Sequence, residues 1–180
     1  MRSFRKSLAA LAAVVTIGAS VAIASNEQGL DEASVNREVR KQILALPYYG
    51  VFDSIAYSLV DTTVTLSGQV VRPSTRTDAE RRVARVKGVQ RVINNIEVLP
   101  LSFFDDQIRV RTYRAVFSTA GLSRYSMGAN PAVRIIVDNG HVTLEGVVLN
   151  KMDKQLAFMA ANGVSGVFSV TNNLSVERGN

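Results

Sequence analysis

The feature that most constrains the fold of this chain is an internal repeat. The stretch VTLSGQVV at Val64–Val71 returns later in the chain as VTLEGVVL at Val142–Leu149. With these two stretches aligned, 13 of 44 positions are identical between residues 55–98 and residues 133–176, without a gap. A solenoid is not indicated, because solenoid repeats are usually about 20–50 residues long and occur in at least three copies. The chain therefore contains two copies of one small folding unit.

Both copies have the hydrophobic pattern of helix, strand, strand, helix, strand. The helices are predicted at Leu30–Leu46, Ser74–Val86, Asp105–Ala120 and Met152–Ala161. The strands are predicted at residues 55–59, 64–70, 89–98, 133–137, 142–149 and 167–176. Asn139-Gly140 is typical of a tight hairpin turn, because both central residues of that turn need positive φ. We therefore predict an α+β fold of two tandem αββαβ sandwiches, each a three-stranded sheet with two helices on one face.

The N-terminal segment, up to Ala24, has the pattern of a secretory signal peptide. Three basic residues precede an uncharged, alanine-rich segment, and small residues stand at Ala22 and Ala24, where a signal peptidase would read them. An uncleaved anchor is the alternative, but the apolar segment is shorter than the roughly 20 residues of a membrane-spanning helix. We predict cleavage after Ala24, a first domain at residues 25–100 and a second at residues 101–180.

Composition limits the partners of the mature chain. Removal of residues 1–24 leaves 18 basic and 15 acidic residues, a net charge of +3. That charge gives weak attraction to anionic surfaces and falls short of the basic footprint of a dedicated nucleic-acid binder. The chain has no cysteine, which excludes disulfides and a lipid-modified N-terminal cysteine. We expect the mature protein to be soluble.

The polar residues that stand out fit structural roles better than chemical ones. His141, the one histidine, lacks companions for metal binding or acid–base catalysis, so we expect an exposed hairpin residue. Asp105 and Asp106 begin a predicted helix, where negative charge complements the helix dipole. Asn94 and Asn172 face the core side of their strands, and we expect their amides to satisfy backbone groups of the connection between the preceding helix and the strand.

Gly68 and Gly146 lie within strands on the apolar side, which indicates a bulge or close approach by a helix. No nucleotide-binding, zinc-protease or serine-hydrolase signature occurs in the sequence. We predict no enzyme activity, no cofactor and no metal site.

One region combines aromatic and basic side chains. Residues 103–125 contain five of the twelve aromatic residues of the chain together with four arginines. Aromatic rings beside guanidinium groups suit a bilayer interface, where rings enter the headgroup layer and arginines meet phosphates. Val110, Tyr113 and Phe117 also fit the core stripe of a helix, and packing between the domains competes for the two leading phenylalanines. The predicted lipid-binding residues are Phe103, Phe104, Arg109, Arg111, Arg114, Arg124 and Tyr125.

Several of these stretches resemble the BON domain of bacterial envelope proteins. They are VTLSGQV followed by a helix ending at KGV and by VINNIEV, and in the second copy DNGHVTLEGVV followed by VTNNLSV. The resemblance covers about residues 30–178 and implies a periplasmic dual-BON protein linked to phospholipid surfaces and envelope integrity rather than catalysis.

The expected function is therefore non-catalytic association with anionic phospholipid surfaces in support of the envelope under stress. The alternative is a protein–protein adaptor in the envelope whose aromatic surface binds a partner polypeptide. A third hypothesis is a hydrolase accessory or an enzyme that uses His141.

Overall fold

The computed structural model describes residues 31–177, which fold into two tandem domains of the same architecture. The predicted signal peptide lies outside the described residues. Within residues 31–177, no helix is long and apolar enough to cross a membrane.

The first domain begins with a helix whose N-cap is Asp31, which accepts a hydrogen bond from the backbone N–H of Ala33. This helix ends at Leu44, shortly before Pro47, which cannot continue it. The second helix has proline in its first turn, where backbone N–H groups have no acceptor within the helix, so that the lack of an N–H in proline costs no hydrogen bond. The elements are α1 (Glu32–Leu44), β1 (Ser54–Val60), β2 (Thr63–Val70), α2 (Pro73–Val83) and β3 (Arg91–Val98).

The second domain repeats this order after the short linker that contains Pro100. Its two helices have side-chain N-caps, Ser102 and Asn150, which accept hydrogen bonds from backbone N–H groups of their first turns. The elements are α3 (Phe103–Ser118), a 3₁₀ turn (Ser123–Ser126), β4 (Val133–Asp138), β5 (His141–Val148), α4 (Lys151–Asn162), β6 (Ser169–Asn172) and β7 (Ser175–Val176). The last predicted strand is thus split in two, and both pieces pair with β5.

In each sheet the second strand is central. β1 pairs with β2 as an antiparallel hairpin, and β3 pairs with β2 in parallel after the α2 crossover. The second domain has the same arrangement around β5. Its hairpin turn has positive φ at Asn139 and Gly140, as the sequence predicts. The α+β prediction of two tandem sandwiches is confirmed.

Each domain has its own apolar core between the helices and one face of the sheet. The residues at the centre of the two cores occupy equivalent positions of the repeat, for example Val64 and Leu66 in one and Val142 and Leu144 in the other. The repeat therefore encodes the core, which is why its identical positions are mostly apolar.

Gly68 and Gly146 allow the backbone of another segment to approach closely, as predicted, but that segment is the start of the neighbouring strand rather than a helix. A Cβ atom at Gly68 would lie 2.1 Å from the carbonyl oxygen of Ser54, and one at Gly146 would lie 2.0 Å from that of Ala132. Both glycines have positive φ, 115° and 122°. Both copies need glycine here because no side chain fits the space or the backbone conformation.

The two domains are joined by the side chain of Arg134 on β4. Its guanidinium lies over the ring of Tyr49, 4.1 Å from the ring centre. Its Nη1 atom donates hydrogen bonds to the carbonyl oxygens of Gly50 at 2.6 Å and Asp53 at 3.1 Å. Burial raises the pKa of the Tyr49 phenol above its ordinary value, so the ring is neutral beneath the arginine at physiological pH.

Backbone and aromatic contacts extend this interface. The N–H of Ile135 donates to the carbonyl oxygen of Val51 at 2.8 Å, so the loop before β1 lies against the outer edge of β4. The rings of Phe52 and Tyr113 meet edge to face, with their centres 6.3 Å apart. Together with Arg134, these contacts hold the domains in one arrangement.

Candidate functional site

The two leading phenylalanines lie within the first turn of α3 rather than before it. Ser102 is the N-cap, and its hydroxyl oxygen accepts a hydrogen bond from the N–H of Asp105 at 3.1 Å. The helix therefore begins at Phe103, two residues earlier than the sequence indicates. Phe103 is 79% exposed and Phe104 is 47% exposed. Two large apolar rings thus stand at a solvent-facing helix end.

A third exposed ring joins them from the loop after α4. Phe168 is 71% exposed, and the centre of its ring lies 6.3 Å from that of Phe104 and 5.9 Å from that of His141. Gly140 leaves room for Phe168, since a Cβ atom there would lie 2.5 Å from the phenylalanine ring. We call Phe103, Phe104 and Phe168 the aromatic end of the second domain.

Two arginines continue the solvent face of α3 beyond the aromatic end. Arg111 and Arg114 are both exposed, and neither forms an ion pair within residues 31–177. Arg111 instead donates hydrogen bonds to the Gln107 side chain at 2.9 Å and to the carbonyl oxygen of Ser165 at 3.4 Å. Within residues 31–177, positive charge without an acidic partner therefore lies along α3, about two to three helical turns from Phe103 and Phe104.

Arg109 was predicted as a lipid-binding residue, but it lies inside the domain, only 3% exposed. Its guanidinium donates to the carbonyl oxygen of Val137 at 2.7 Å and pairs with the carboxylate of Asp106. A buried charge is tolerated only with such partners. Arg109 therefore fastens α3 to the edge of β4, and its position contradicts a role in surface contact.

Tyr125 is likewise buried, at 6% exposure. The Tyr125 hydroxyl and the Arg124 guanidinium both donate to the carboxylate of Asp153 at the start of α4. These hydrogen bonds, the one from Tyr125 foremost, lower the pKa of Asp153. Phe168 follows the opposite end of α4, a helix of 12 residues that spans about 18 Å at 1.5 Å per residue. The burial of Tyr125 corrects the prediction for that residue, and the structure does not bring Arg124 to the same surface as the phenylalanines.

The core stripe of α3 differs from the predicted one. Phe117 is buried as expected, but Val110 and Tyr113 are partly exposed. Val116, on the same predicted face, is buried as expected, and Ile108, which is outside that face, also lies in the core. Tyr113 packs against Phe117 and against Phe52 of the first domain, so its ring belongs to the domain interface.

The acidic pair at the start of α3 has a further role in the hairpin. Asp105 is buried, and its carboxylate accepts hydrogen bonds from the turn amides of Asn139 at 3.0 Å and Gly140 at 2.8 Å. Both carboxylates lie in the first turn of α3, where negative charge complements the helix dipole, but the N-cap is Ser102 rather than either aspartate. The Asp105 carboxylate instead fixes the hairpin against the aromatic end.

The other polar residues noted in the sequence, His141, Asn94 and Asn172, form hydrogen bonds that stabilise the fold. His141 is exposed on the hairpin, as predicted, and its Nδ1 atom contacts the Ser169 hydroxyl at 2.7 Å. The Asn94 amide donates to the carbonyl oxygen of Arg76, and the Asn172 amide donates to that of Lys154. Both asparagines therefore satisfy backbone groups of the packed helix itself rather than of its connection to the strand. Within residues 31–177, no group of three metal-ligating side chains converges.

Phe168 is the site residue that the sequence reasoning missed. The equivalent position of the first copy, in the gapless alignment of the repeat, is Gln90. The repeat alignment therefore contains a signal for this residue. At a position outside the shared core, one copy has a polar residue and the other has an aromatic residue, which indicates that the two surfaces have specialised.

Comparisons with known proteins identify the repeated unit. A family model for the BON domain matches residues 31–100 and residues 105–178. No curated protein matches the chain.

Two solved structures of the structural protein CdsD of the type III secretion system of Chlamydia trachomatis are similar to this chain at 10% sequence identity. The C-terminal domain of CdsD gives a TM-score of 0.33 over 83% of this chain and 100% of that chain. The second structure gives a TM-score of 0.32 over 80% of this chain and 92% of that chain. Scores this low carry no argument about function.

Proposed function

Because the chain belongs to the BON domain family, with two copies that span most of its length, we propose that it is a non-catalytic periplasmic protein that associates with anionic phospholipid surfaces. BON domains are commonly periplasmic, are linked to phospholipid binding or envelope roles, and are in general non-catalytic. The proposed role is support of the envelope under stress, with the aromatic end of the second domain as the membrane contact.

The observation that carries this proposal is the exposure of Phe103, Phe104 and Phe168, with two arginines further along α3 that form no ion pair within residues 31–177. Exposed aromatic rings are costly in water and gain free energy on entering the interfacial layer. Each arginine near an anionic surface contributes about 1 kcal/mol, so Arg111 and Arg114 together contribute about 2 kcal/mol. Arg109, Arg124 and Tyr125 are left out of the proposed surface because of the contacts described above.

Liposome flotation tests this surface. The variant Arg111→Glu plus Arg114→Glu should bind vesicles of phosphatidylglycerol at least about 30-fold more weakly, because it loses about 2 kcal/mol of attraction and adds repulsion. The wild-type protein should bind neutral phosphatidylcholine vesicles weakly at any salt concentration. Binding to anionic vesicles should fall as salt rises, because screening shortens the reach of the charges.

The matched control reverses two arginines of the first domain, Arg85→Glu plus Arg91→Glu. Both side chains are exposed, and the net charge changes equally. If the two double variants lose vesicle binding to the same degree, net charge alone governs association and the proposed surface is wrong.

A second arm addresses the rings and the adaptor alternative. Phe168→Gln installs the residue of the first copy, and it should weaken vesicle binding without changing the circular dichroism spectrum. If the wild-type protein binds no vesicle but forms a stable complex with an envelope protein that Phe168→Gln abolishes, the adaptor reading replaces the lipid proposal.

A further inference from the structure

The outer edge of β1, in the first domain, has backbone groups with no strand partner among residues 31–177. The N–H of Ile55 donates to the Tyr49 hydroxyl at 3.1 Å, so the backbone of Ile55 points away from β2. In an antiparallel strand every second residue points the same way, which places the N–H and C=O groups of Tyr57 and Leu59 on this edge. Among the described residues, only β2 pairs with β1.

β1 also lacks the devices that usually protect an edge strand. Its sequence, SIAYSLV, contains no charged residue and no proline over seven residues. Natural edge strands are commonly blunted by charge, proline, bulges or a covering loop, because unpaired backbone groups are a template for another strand.

The same edge of the second domain is occupied by polypeptide. Tyr57 pairs with Leu66 on β2, and its counterpart in the repeat, Ile135, pairs with Leu144 on β5. The N–H of Ile135 donates to the carbonyl oxygen of Val51, in the loop that lies along the β4 edge. The fold thus contains one example of chain docking at this position, while its first copy remains open.

A cavity of about 510 Å³ lies beside the open edge, between the two domains. This volume is within the range of about 300–1,000 Å³ that is typical of ligand pockets, which often occur at domain interfaces. Its lining is mostly aliphatic and aromatic, from both domains: Leu44, Ile55, Tyr57, Pro131 and Val147 contribute to it. A bulky apolar side chain suits this space.

The rim of the cavity is basic. Arg40 lines it, is exposed, and forms neither an ion pair nor a hydrogen bond within residues 31–177. The Arg40 guanidinium complements a carboxylate on a segment that docks beside β1.

We propose that an extended peptide segment of a partner protein, with alternating apolar residues and a neighbouring acidic residue, docks as an added strand on β1. Backbone hydrogen bonds to Tyr57 and Leu59 hold the segment, an apolar side chain enters the interdomain cavity, and a carboxylate meets Arg40. In strand addition the main chain supplies affinity and side-chain pockets supply specificity. This site is separate from the aromatic end and does not depend on lipid binding.

The test selects octapeptides from a random phage-displayed library on the purified protein, then measures amide hydrogen exchange by NMR with the selected peptides bound. We expect enriched peptides with alternating apolar positions and net negative charge that slow exchange at Tyr57 and Leu59. Arg40→Glu should weaken their binding by about tenfold or more, in line with the loss of a charge-assisted contact. Arg76→Glu, an exposed arginine on α2, is the matched control and should leave binding unchanged.

Three results with peptides, and one with vesicles, would overturn the proposal. The peptide results are the absence of any enriched peptide, enriched peptides that leave exchange at both β1 amides unchanged, and equal binding to the protein and to Arg40→Glu. Protection of the same amides by phosphatidylglycerol vesicles would assign the groove to lipid instead and would also overturn it.

Discussion

Removal of the Arg134 guanidinium should uncouple the two domains. The guanidinium donates to two carbonyl oxygens of the first domain and stacks on Tyr49. A hydrogen bond from a charged donor contributes about 1.5–3 kcal/mol, and a cation–π contact contributes about 0.5–2 kcal/mol. Since neighbouring contacts are not additive, we expect Arg134→Ala to cost about 3–5 kcal/mol of domain coupling. Arg134→Met keeps an apolar stem over the ring and should lose slightly less.

The assay is thermal unfolding followed by calorimetry, combined with NMR relaxation of the two domains. In a chain of this size, 1 kcal/mol corresponds to about 2–4 °C, so the midpoint should fall by about 6 °C or more. The single transition should separate into two, and the domains should acquire different rotational correlation times. Arg114→Met, an exposed arginine on α3, is the control and should change none of these quantities. One transition at the wild-type midpoint, with equal correlation times, would refute the interpretation of Arg134 as the domain fastener.

Two further predictions concern the second domain. Gly146→Ala should destabilise the second domain by about 3 kcal/mol or more in urea unfolding, because the added Cβ meets a carbonyl oxygen and the residue has positive φ. The control Gly163→Ala should be neutral or stabilising, because Gly163 has φ of −79° and its Cβ would have its nearest contact at 3.5 Å. Equal effects of the two substitutions would contradict the close-approach argument. The pKa of Asp153 is lower in the folded protein than in the unfolded chain, where it is about 3.9. The ionised carboxylate therefore stabilises the fold fully at pH values above the unfolded pKa, and this stabilisation is lost as the pH falls through the folded pKa. The stability difference between the protein and Asp153→Asn, measured by urea unfolding at pH 6 and at pH 2.5, should therefore shrink at the lower pH, and a constant difference would contradict it.

The sequence predicts the fold well because both copies bury the same pattern. Alternating apolar residues locate all the strands of the two hairpins, and the predicted helix ends are wrong by two or three residues at most. The register of α3 is the main error. Ser102 begins the helix earlier than its apolar pattern suggests, and Val110 and Tyr113 lie near the first domain rather than in the helix's own core. A periodic pattern cannot tell an intradomain core from a domain interface, since both reward burial of the same side chains.

The candidate site is predictable only in part for the same reason. The exposure of Arg111 and Arg114 follows from the polar face of the predicted helix. The sequence places Phe103 and Phe104 before that helix and leaves them open between lipid contact and packing between the domains, so their exposure is known only from the structure. Arg109 is buried because a carbonyl oxygen 28 residues away accepts its hydrogen bond, and a partner that distant leaves no local signature.

Tyr125 and Asp153 are also 28 residues apart in sequence, and each explains the burial of the other. Neither residue has an apolar or charged pattern around it that predicts the pairing. Contacts of this kind become visible only once the topology brings α4 beside the 3₁₀ turn.

The surfaces of the two copies have diverged in ways that limit how they can dock. In the alignment of the repeat, the counterpart of Arg134 in the first domain is Ala56, and the counterpart of Tyr49 in the second is Met127. The second domain of one molecule therefore cannot form the arginine–tyrosine contact with the first domain of another molecule. If the same head-to-tail contact could form between successive molecules, it would build open filaments. The replacements at Ala56 and Met127 remove the side chains that such a repeated contact would need. Duplication thus gives a directional pair: the aromatic end belongs to the second copy, and the β1 edge of the first copy, which has no strand partner among residues 31–177 other than β2, lies beside the interface.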